Sequence, residues 1–329
     1  MIVVAYQSGR HLEACIAALL AQTLSPTEII IFDNASTDGA PGAVALAYPQ
    51  VRLLESGTNL GFAAGNNRGA ATAKAPWLAL INPDAVAEPD WLEKMLAATQ
   101  DHPDVPCFGS RQWMAGKPGI LDGLGDVMSL AGFPYRGGYD RPDPGRVRPG
   151  EIFSACGGAM LVDRATFVAM GGFDERLFCY CEDVDLGYRL RLAGRATRLV
   201  PEASVIHVGG TASGGARSDF AVFHGTRNRL WVFVKNTPPV LFWLTLPLHL
   251  LTTLVLFVRH LMRGEVKAPW LGLIAGLAGL GPIWLARGQV RRAKGVSSWT
   301  LARAMTWNPL DLICRRVVIK RPRHRLGKV

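Results

Sequence analysis

The first hundred residues alternate short unbroken apolar runs with longer stretches whose apolar residues recur at helical spacing. Ile2 to Ala5 and Glu28 to Phe32 are β-branched or apolar almost throughout, as strands buried on both faces are. Between them, Leu12, Cys15, Ile16, Leu19 and Leu20 mark one face of a helix over 11–22. The alternation continues with a strand over 51–54, a small-residue helix over 61–73, a strand over 77–81, a helix over 91–98 and a strand over 105–109. This order predicts an α/β fold with a mostly parallel sheet and helices on both faces.

In such sheets ligands bind beyond the carboxyl ends of the strands. Three polar clusters fall there: Tyr6-Gln7-Ser8, Asp33 to Asp38, and Asn82-Pro83-Asp84. Taken singly, Asp33 and Asp84 read equally well as turn residues. Residues 113–149 are rich in Gly and Pro without periodicity, which suits an irregular lobe carrying substrate-specific loops. Glu151 to Asp163 returns to strand-like runs around Gly157-Gly158, where glycine permits either close approach of a ligand or a bulge. His207 ends a strand just before two glycines, as a core group or a site residue.

The densest chemistry lies in Gly171 to Leu186, GGFDERLFCYCEDVDL. Asp174, Glu175, Glu182, Asp183 and Asp185 crowd among apolar neighbours with one basic residue, Arg176. Such carboxylates are costly unless they pair, bind something or share protons. A helix with Leu186, Leu190 and Ala193 on one face follows, which sets Glu182 and Asp183 in its first turn, where the helix dipole favours anions. An acidic helix N-terminus with no further role fits that stretch as well.

Beyond residue 237 the pattern changes. Val240 to Val258 is a nearly unbroken apolar run, long enough to cross a ~30 Å hydrocarbon core. Trp270 to Ala286 is shorter and glycine-rich, and Trp243, Trp270 and Trp284 suit membrane boundaries. The two runs are expected as a hairpin, with a re-entrant pair as the alternative. The net charge of +10 sits at the end of the chain: from Arg287 onward twelve Lys and Arg stand against one acid, Asp311. By the positive-inside rule this basic tail stays in the cytoplasm, against anionic lipid rather than nucleic acid. The expected divisions are a catalytic domain over 1–212, a helical connection over 213–237, two membrane segments over 238–287 and a basic tail over 288–329. No charged and apolar leader opens the chain, so no signal peptide is expected. The six cysteines show no metal-ligand spacing. Gly61, Gly65 and Gly69 are spaced by four, unlike the G-x-G-x-x-G of dinucleotide enzymes, and there is no P-loop, which argues against a dehydrogenase or nucleotidyltransferase.

Six strings taken in order carry a resemblance over about residues 2–231: DNASTDG at Asp33, NLGFAAGNNRG at Asn59, NPDA at Asn82, GGAMLVDR at Gly157, GGFDERLFCYCEDVDLGYRLRLAG at Gly171 and VPEASVIHVGG at Val200. The chain resembles the family-2 glycosyltransferases of GT-A (Rossmann-like) fold, in their rhamnosyltransferase-like group from bacterial polysaccharide biosynthesis. Gln7 stands where that family commonly has Asn, and NPD supplies one carboxylate where many relatives have an Asp-x-Asp pair.

The resemblance implies an inverting transferase acting on a nucleotide-diphosphate sugar. Asp33 would accept from the N3–H of uracil or thymine, with Tyr6, Ser8, Asp38, Asn59, Gly61 and Asn82 completing the donor site. Asp84 and His207 would hold a divalent cation, Mg²⁺ or Mn²⁺. Asp183 would be the base, Glu182 and Asp185 would orient it or the acceptor, Gly157 and Gly158 would line the acceptor side, and Arg189 would pair structurally with acidic neighbours. It favours dTDP-rhamnose as donor, with galactofuranose or another hexose from a UDP- or GDP-sugar as alternatives. The acceptor is expected to be a lipid-linked glycan at the cytoplasmic membrane, with the catalytic domain facing the cytoplasm. A membrane-anchored module that keeps the fold without catalysis is the remaining alternative.

Overall fold

The computed structural model describes residues 1–210, 214, 215 and 217–321. The boundary expected at 212/213 and the last residues of the tail, 322–329, lie outside the described residues. The N-terminal half runs β1 (Ile2–Ala5), α1 (Arg10–Leu20), β2 (Ile30–Asp33), α2 (Ala40–Ala47), β3 (Arg52–Glu55), α3 (Gly61–Thr72), β4 (Trp77–Ile81), β5 (Ala85–Ala87) and α4 (Trp91–Asp101). β6 (Cys107–Met114), β7 (Ile120–Gly123), β8 (Asp126–Met128), β9 (Pro134–Arg136), β10 (Arg141–Pro142), β11 (Gly150–Ile152) and β12 (Ala159–Asp163) follow. Next come α5 (Arg164–Ala169), a 3₁₀ turn at Glu175–Leu177, α6 (Glu182–Leu192) and β13 (Thr197–His207). The chain closes with α7 (Asp219–Asn236), α8 (Pro239–Leu261), α9 (Lys267–Ala278), α10 (Leu280–Arg292), α11 (Ser298–Ala304) and α12 (Pro309–Cys314).

The main sheet has the order β10-β7-β6-β12-β4-β1-β2-β3. β3, β2, β1 and β4 are parallel, as the alternating pattern predicts. β12 then runs antiparallel to both β4 and β6, so the sheet is mixed beyond β4. β13 pairs parallel with β6 and antiparallel with β5 and β11. Its register slips between Val200 and Ser204, around Pro201, which has no N–H to offer a ladder. Thr197–Val200 and Ser204–His207 are thus two parts of one bulged strand.

Alternation along the strands sends side chains to two cores. Val3, Ala5, Ile31, Ala79 and Ile81 meet Leu12, Ile16 and Leu19 of α1 and Trp91 of α4. Ile2, Ile30, Leu78 and Leu80 face α3, Phe173 and Leu186 on the other side. Leu12 is fully buried, and its truncation to Ala would cost roughly 2–5 kcal/mol. The glycine repeat of α3 serves this packing: a Cβ on Gly65 or Gly69 would lie 2.7 Å from Val4 or Ile2 respectively.

The C-terminal helices rest on the domain. α7 is tied to it by Lys235, whose Nζ lies 2.5 Å from Asp174 and 2.6 Å from Asp185. α8 is the one described helix long and apolar enough by itself to cross a membrane, and α9 and α10 bend by 61° where they meet. The basic tail, expected to lie against anionic lipid, is paired by its backbone with the catalytic domain. Thr306 exchanges backbone hydrogen bonds with Met128 and Leu130, Lys320 pairs both ways with Glu151, and Tyr135 donates to the Arg316 carbonyl. Up to Arg321 the tail folds back over the β8–β9 hairpin to β11.

Candidate active site

The strand ends converge as expected. After β1, Gln7 takes a positive φ of 48° and its amide clasps Thr37 in the loop after β2, donating to Oγ1 and accepting from the backbone N–H, both at 2.9 Å. Asp38 accepts from the N–H of Gly9 at 2.8 Å, Asp33 from that of Ser36 at 2.9 Å, and buried Ser8 from that of Tyr6 at 3.2 Å. These contacts fix the two loops against each other and shape the crevice over β1 and β2. Asn59 and Gly61 sit differently. The Asn59 side-chain oxygen Oδ1 accepts from Asn34 Nδ2 and from the Gly61 N–H, so it holds the start of α3. A Cβ at Gly61 would lie 2.5 Å from the Phe178 ring, so this glycine is needed for packing against the acidic loop.

Beyond β4, Asp84 and His207 meet: Asp84 Oδ1 is 3.2 Å from His207 Nε2, and both side chains are buried. Asn82 Nδ2 lies 3.1 Å from the same ring nitrogen. The other nitrogen, Nδ1, is 2.8 Å from Asp122 Oδ2, and Arg136 Nη1 meets that oxygen at 2.5 Å. Burial pulls the His207 pKa down, but the hydrogen bonds and charges of Asp122 and Asp84 outweigh it and raise it to about 9. A carboxylate oxygen and an imidazole lone pair this close, away from water, call for a positive charge between them. A proton on Nε2 would supply it, and a divalent cation fits the same place: one hard oxygen ligand, one imidazole, and a carboxylate behind the ring to orient it.

The acidic stretch forms the other wall. Cys181 precedes α6 in the left-handed region, as do Phe178 and Tyr180, with φ of 69°, 63° and 71°. Such strain in residues with side chains persists only where the surroundings impose it. Fully buried Asn228 of α7 imposes it, donating to the carbonyls of Leu177, Cys179 and Tyr180 at 2.7–2.9 Å. Asp183 emerges half-buried from the first turn, its oxygens accepting from the N–H groups of Gly157 and Val184 at 2.8 and 2.7 Å. Gly157 therefore cradles the carboxylate, and Gly158 packs with an added Cβ only 3.3 Å from Asn82 and accepts from the Asn82 N–H. The adjacent glycines link the Asp183 wall to the Asp84–His207 pair.

Glu182 is buried with Oε2 unpaired, and burial followed by the Asp183 charge pushes its pKa well up. Asp185 departs from its expected place on the acceptor side. Its fully buried carboxylate meets Lys235 at 2.6 Å, Arg189 at 2.8 Å and Asn236 at 2.7 Å, a structural ion network. Arg189 has the structural pairing expected of it. Asp122, Asp126 and Arg136, from the aperiodic lobe, are the residues sequence reasoning missed. Asp126, Cys156 and Asp183 place ligand atoms within 4.8 Å of one another. Burial, then the Asp183 charge, push the pKa of the Asp126 carboxyl well up.

The sheet with its strand-end loops, and the site built over them, define a GT-A glycosyltransferase. Residues 1–167 match the family described as Glycosyl transferase family 2, and the chain belongs to that family. Over 236 residues it is 35% identical to the N-acetylglucosaminyl-diphospho-decaprenol L-rhamnosyltransferase of Mycobacterium tuberculosis, covering 63% of this chain and 75% of that one. The fold is similar to the mannosyltransferase PcManGT from Pyrobaculum calidifontis, solved with GDP-Man and Mn²⁺, with a TM-score of 0.53 and 17% identity over 89% of this chain and 84% of that one. GalNAc-T7, solved with UDP, GalNAc and Mn²⁺, gives a TM-score of 0.52 and 16% identity over 63% of this chain and 42% of its own.

Proposed function

We propose that this glycosyltransferase moves rhamnose, with inversion, from dTDP-rhamnose to a hydroxyl of a lipid-linked glycan at the cytoplasmic membrane. The observation that carries the reading is a carboxylate held by two backbone amides, Asp183, joined through Gly157-Gly158 to the buried Asp84–His207 pair. Asp84 and Nε2 of His207 would hold Mg²⁺ or Mn²⁺, which offsets charge on a diphosphate leaving group. Asp122 keeps the imidazole turned so that Nε2 faces Asp84. The loops at Tyr6–Ser8 and Asp33–Asp38 would take the nucleoside, with Asn82 beside the cation.

Asp183 would accept the proton of the acceptor hydroxyl as its oxygen attacks the anomeric carbon. The bond from that carbon to the diphosphate oxygen breaks on the opposite face, and the nucleoside diphosphate leaves with the electron pair. One displacement with no covalent intermediate inverts the centre. The fixed orientation of Asp183 supports this role, since a base must be within hydrogen-bond reach of its proton. The rhamnosyl donor and a polyprenyl-diphosphate N-acetylglucosamine acceptor are supported by the mycobacterial relative's name.

The test is a panel of nucleotide sugars, dTDP-rhamnose, UDP- and GDP-hexoses and UDP-galactofuranose, each offered with that acceptor and Mn²⁺. A rhamnosyl product of inverted configuration is expected from dTDP-rhamnose alone. Transfer from a UDP- or GDP-sugar in its place would replace the donor assignment. No transfer from any donor would favour a module without catalysis.

A further inference from the structure

We infer that α8, α9 and α10 form a platform that lies in the plane of an anionic bilayer, in place of a hairpin that crosses it. The inference rests on the membrane association proposed above and concerns its geometry.

α8 packs on one side along its whole length. Leu241, Phe242, Thr245 and His249 are buried, and Thr253, Leu256 and His260 further along line a small cleft with Thr226 and Arg229 of α7. At mid-helix, His249 hydrogen-bonds the Ala131 carbonyl of the catalytic domain at 2.8 Å and stacks on Phe233 at 4.1 Å. α9 lies equally close to α7. A Cβ on Gly272 would meet the Phe223 carbonyl at 2.6 Å, one on Gly279 would meet the Trp231 ring at 2.3 Å, and Trp231 Nε1 donates to the Gly276 carbonyl at 2.8 Å.

α7 cannot enter hydrocarbon. Its Asn228 holds the active-site loop and its Lys235 is paired with Asp174 and Asp185. A bilayer that took α8 and α9 across its core would have to take these groups and the Ala131 turn to the same depth, and ionised groups there are strongly disfavoured.

The outward faces are apolar and continuous: Leu244 is 74% exposed, Leu251 57%, Leu254 59% and Leu285 78%. A helix with one packed face and one apolar face suits the headgroup–acyl boundary. Its occupant is anionic lipid by charge: residues 239–310 hold eight Lys and Arg against Glu265 alone. Arg259, Arg263 and Lys267 stand exposed at the α8–α9 turn, and Arg291 and Arg292 at the end of α10. Seated in this way, α7 holds the Leu177–Tyr180 loop above the lipid surface, where the sugar of a lipid-linked acceptor would stand.

The test uses the full chain. Flotation with phosphatidylcholine vesicles, with and without phosphatidylglycerol, should show binding that the anionic lipid strengthens and salt weakens. No binding to either overturns the membrane association itself. A fluorophore is then attached at position 244, 254 or 285 and quenched by lipids spin-labelled near the headgroup or deep in the acyl chain. The platform requires the shallow quencher to act best and alike at all three positions. A span or re-entrant pair requires depth to change along α8 or at the α9–α10 bend, and that result overturns the inference. Absence of quenching with the chain eluting as a dimer would assign the face to a second copy and overturn it too. Leu251→Glu with Leu254→Glu, both on the exposed face, should weaken vesicle binding on the order of tenfold or more. Transfer to a water-soluble acceptor should be unchanged in the same variant.

Discussion

Replacing Asp122 by Asn separates the orientation of the proposed cation site from its ligands. In the wild type one oxygen of Asp122 meets both His207 Nδ1, at 2.8 Å, and Arg136 Nη1, at 2.5 Å. Asp122 is 4% exposed, so water cannot readily take its place. An amide there keeps one accepting oxygen for two donors, turns its own NH₂ toward the second, and removes the negative charge that makes the imidazole a better ligand. Loss of such a partner behind a metal-binding histidine costs ~10–100-fold in affinity, or about 1.4–2.7 kcal/mol. The assay is a Mn²⁺ titration of nucleoside diphosphate release, beside a calorimetric titration of Mn²⁺ with no donor present. Both midpoints should shift upward, and saturating Mn²⁺ should restore most of kcat. A thermal melt checks that the variant is folded. Titrations that superimpose on the wild type would refute the reasoning, because His207 would then need no carboxylate behind it or would not hold the cation.

Chelation by EDTA should stop turnover and added Mn²⁺ or Mg²⁺ should restore it, while Asp84→Ala should need far more metal; full activity in excess chelator would remove the cation site. Lys235→Met leaves Asp174 and Asp185 facing each other without their shared cation, and should destabilise the fold by roughly 3–5 kcal/mol in denaturant unfolding. Asp174 also sets a pH limit. Burial alone would raise its pKa, but the hydrogen bond from Arg176 and the charge of Lys235 overcome that and hold it far below the ordinary 3.8. A depressed folded value means that its contribution is complete above the unfolded value and is lost as pH falls below about 4 toward the folded one. Asp174→Asn should therefore be less stable than wild type at neutral pH, and the two should converge in acid melts.

The parts of the fold legible in sequence are those where one pattern has one solution. β1, β2 and β4 are unbroken apolar runs because both of their faces are covered, and their ends carry the polar clusters that shape the crevice over the strands. Strand direction leaves no such mark, so antiparallel β12 and β6 read the same as parallel neighbours. Asp183 and Asp185 stand in one acidic run, yet residues two apart on a helix point about 200° from each other. One therefore faces the site while the other meets Lys235, fifty residues on. Asp122 and Asp126 were hidden because the lobe that carries them has no period to betray a strand. The charges of the tail do not fix its position, which is set by backbone pairing at Glu151 and Thr306 that side-chain patterns do not encode. α8 is apolar on every side, so composition alone offered a span and gave no sign of the face that holds His249 against the domain.

The central claim is that Asp183 takes the proton of the acceptor in a cation-dependent transfer from dTDP-rhamnose. Its most direct test is single-turnover transfer to the polyprenyl-diphosphate acceptor by Asp183→Asn beside the wild type, with donor affinity measured on the same preparations. Donor binding should stay near wild type, and the rate of transfer should fall on the order of 10²–10⁴-fold. A variant that keeps more than about a tenth of the wild-type rate would contradict the account, since loss of a general base cannot leave the chemical step so little changed.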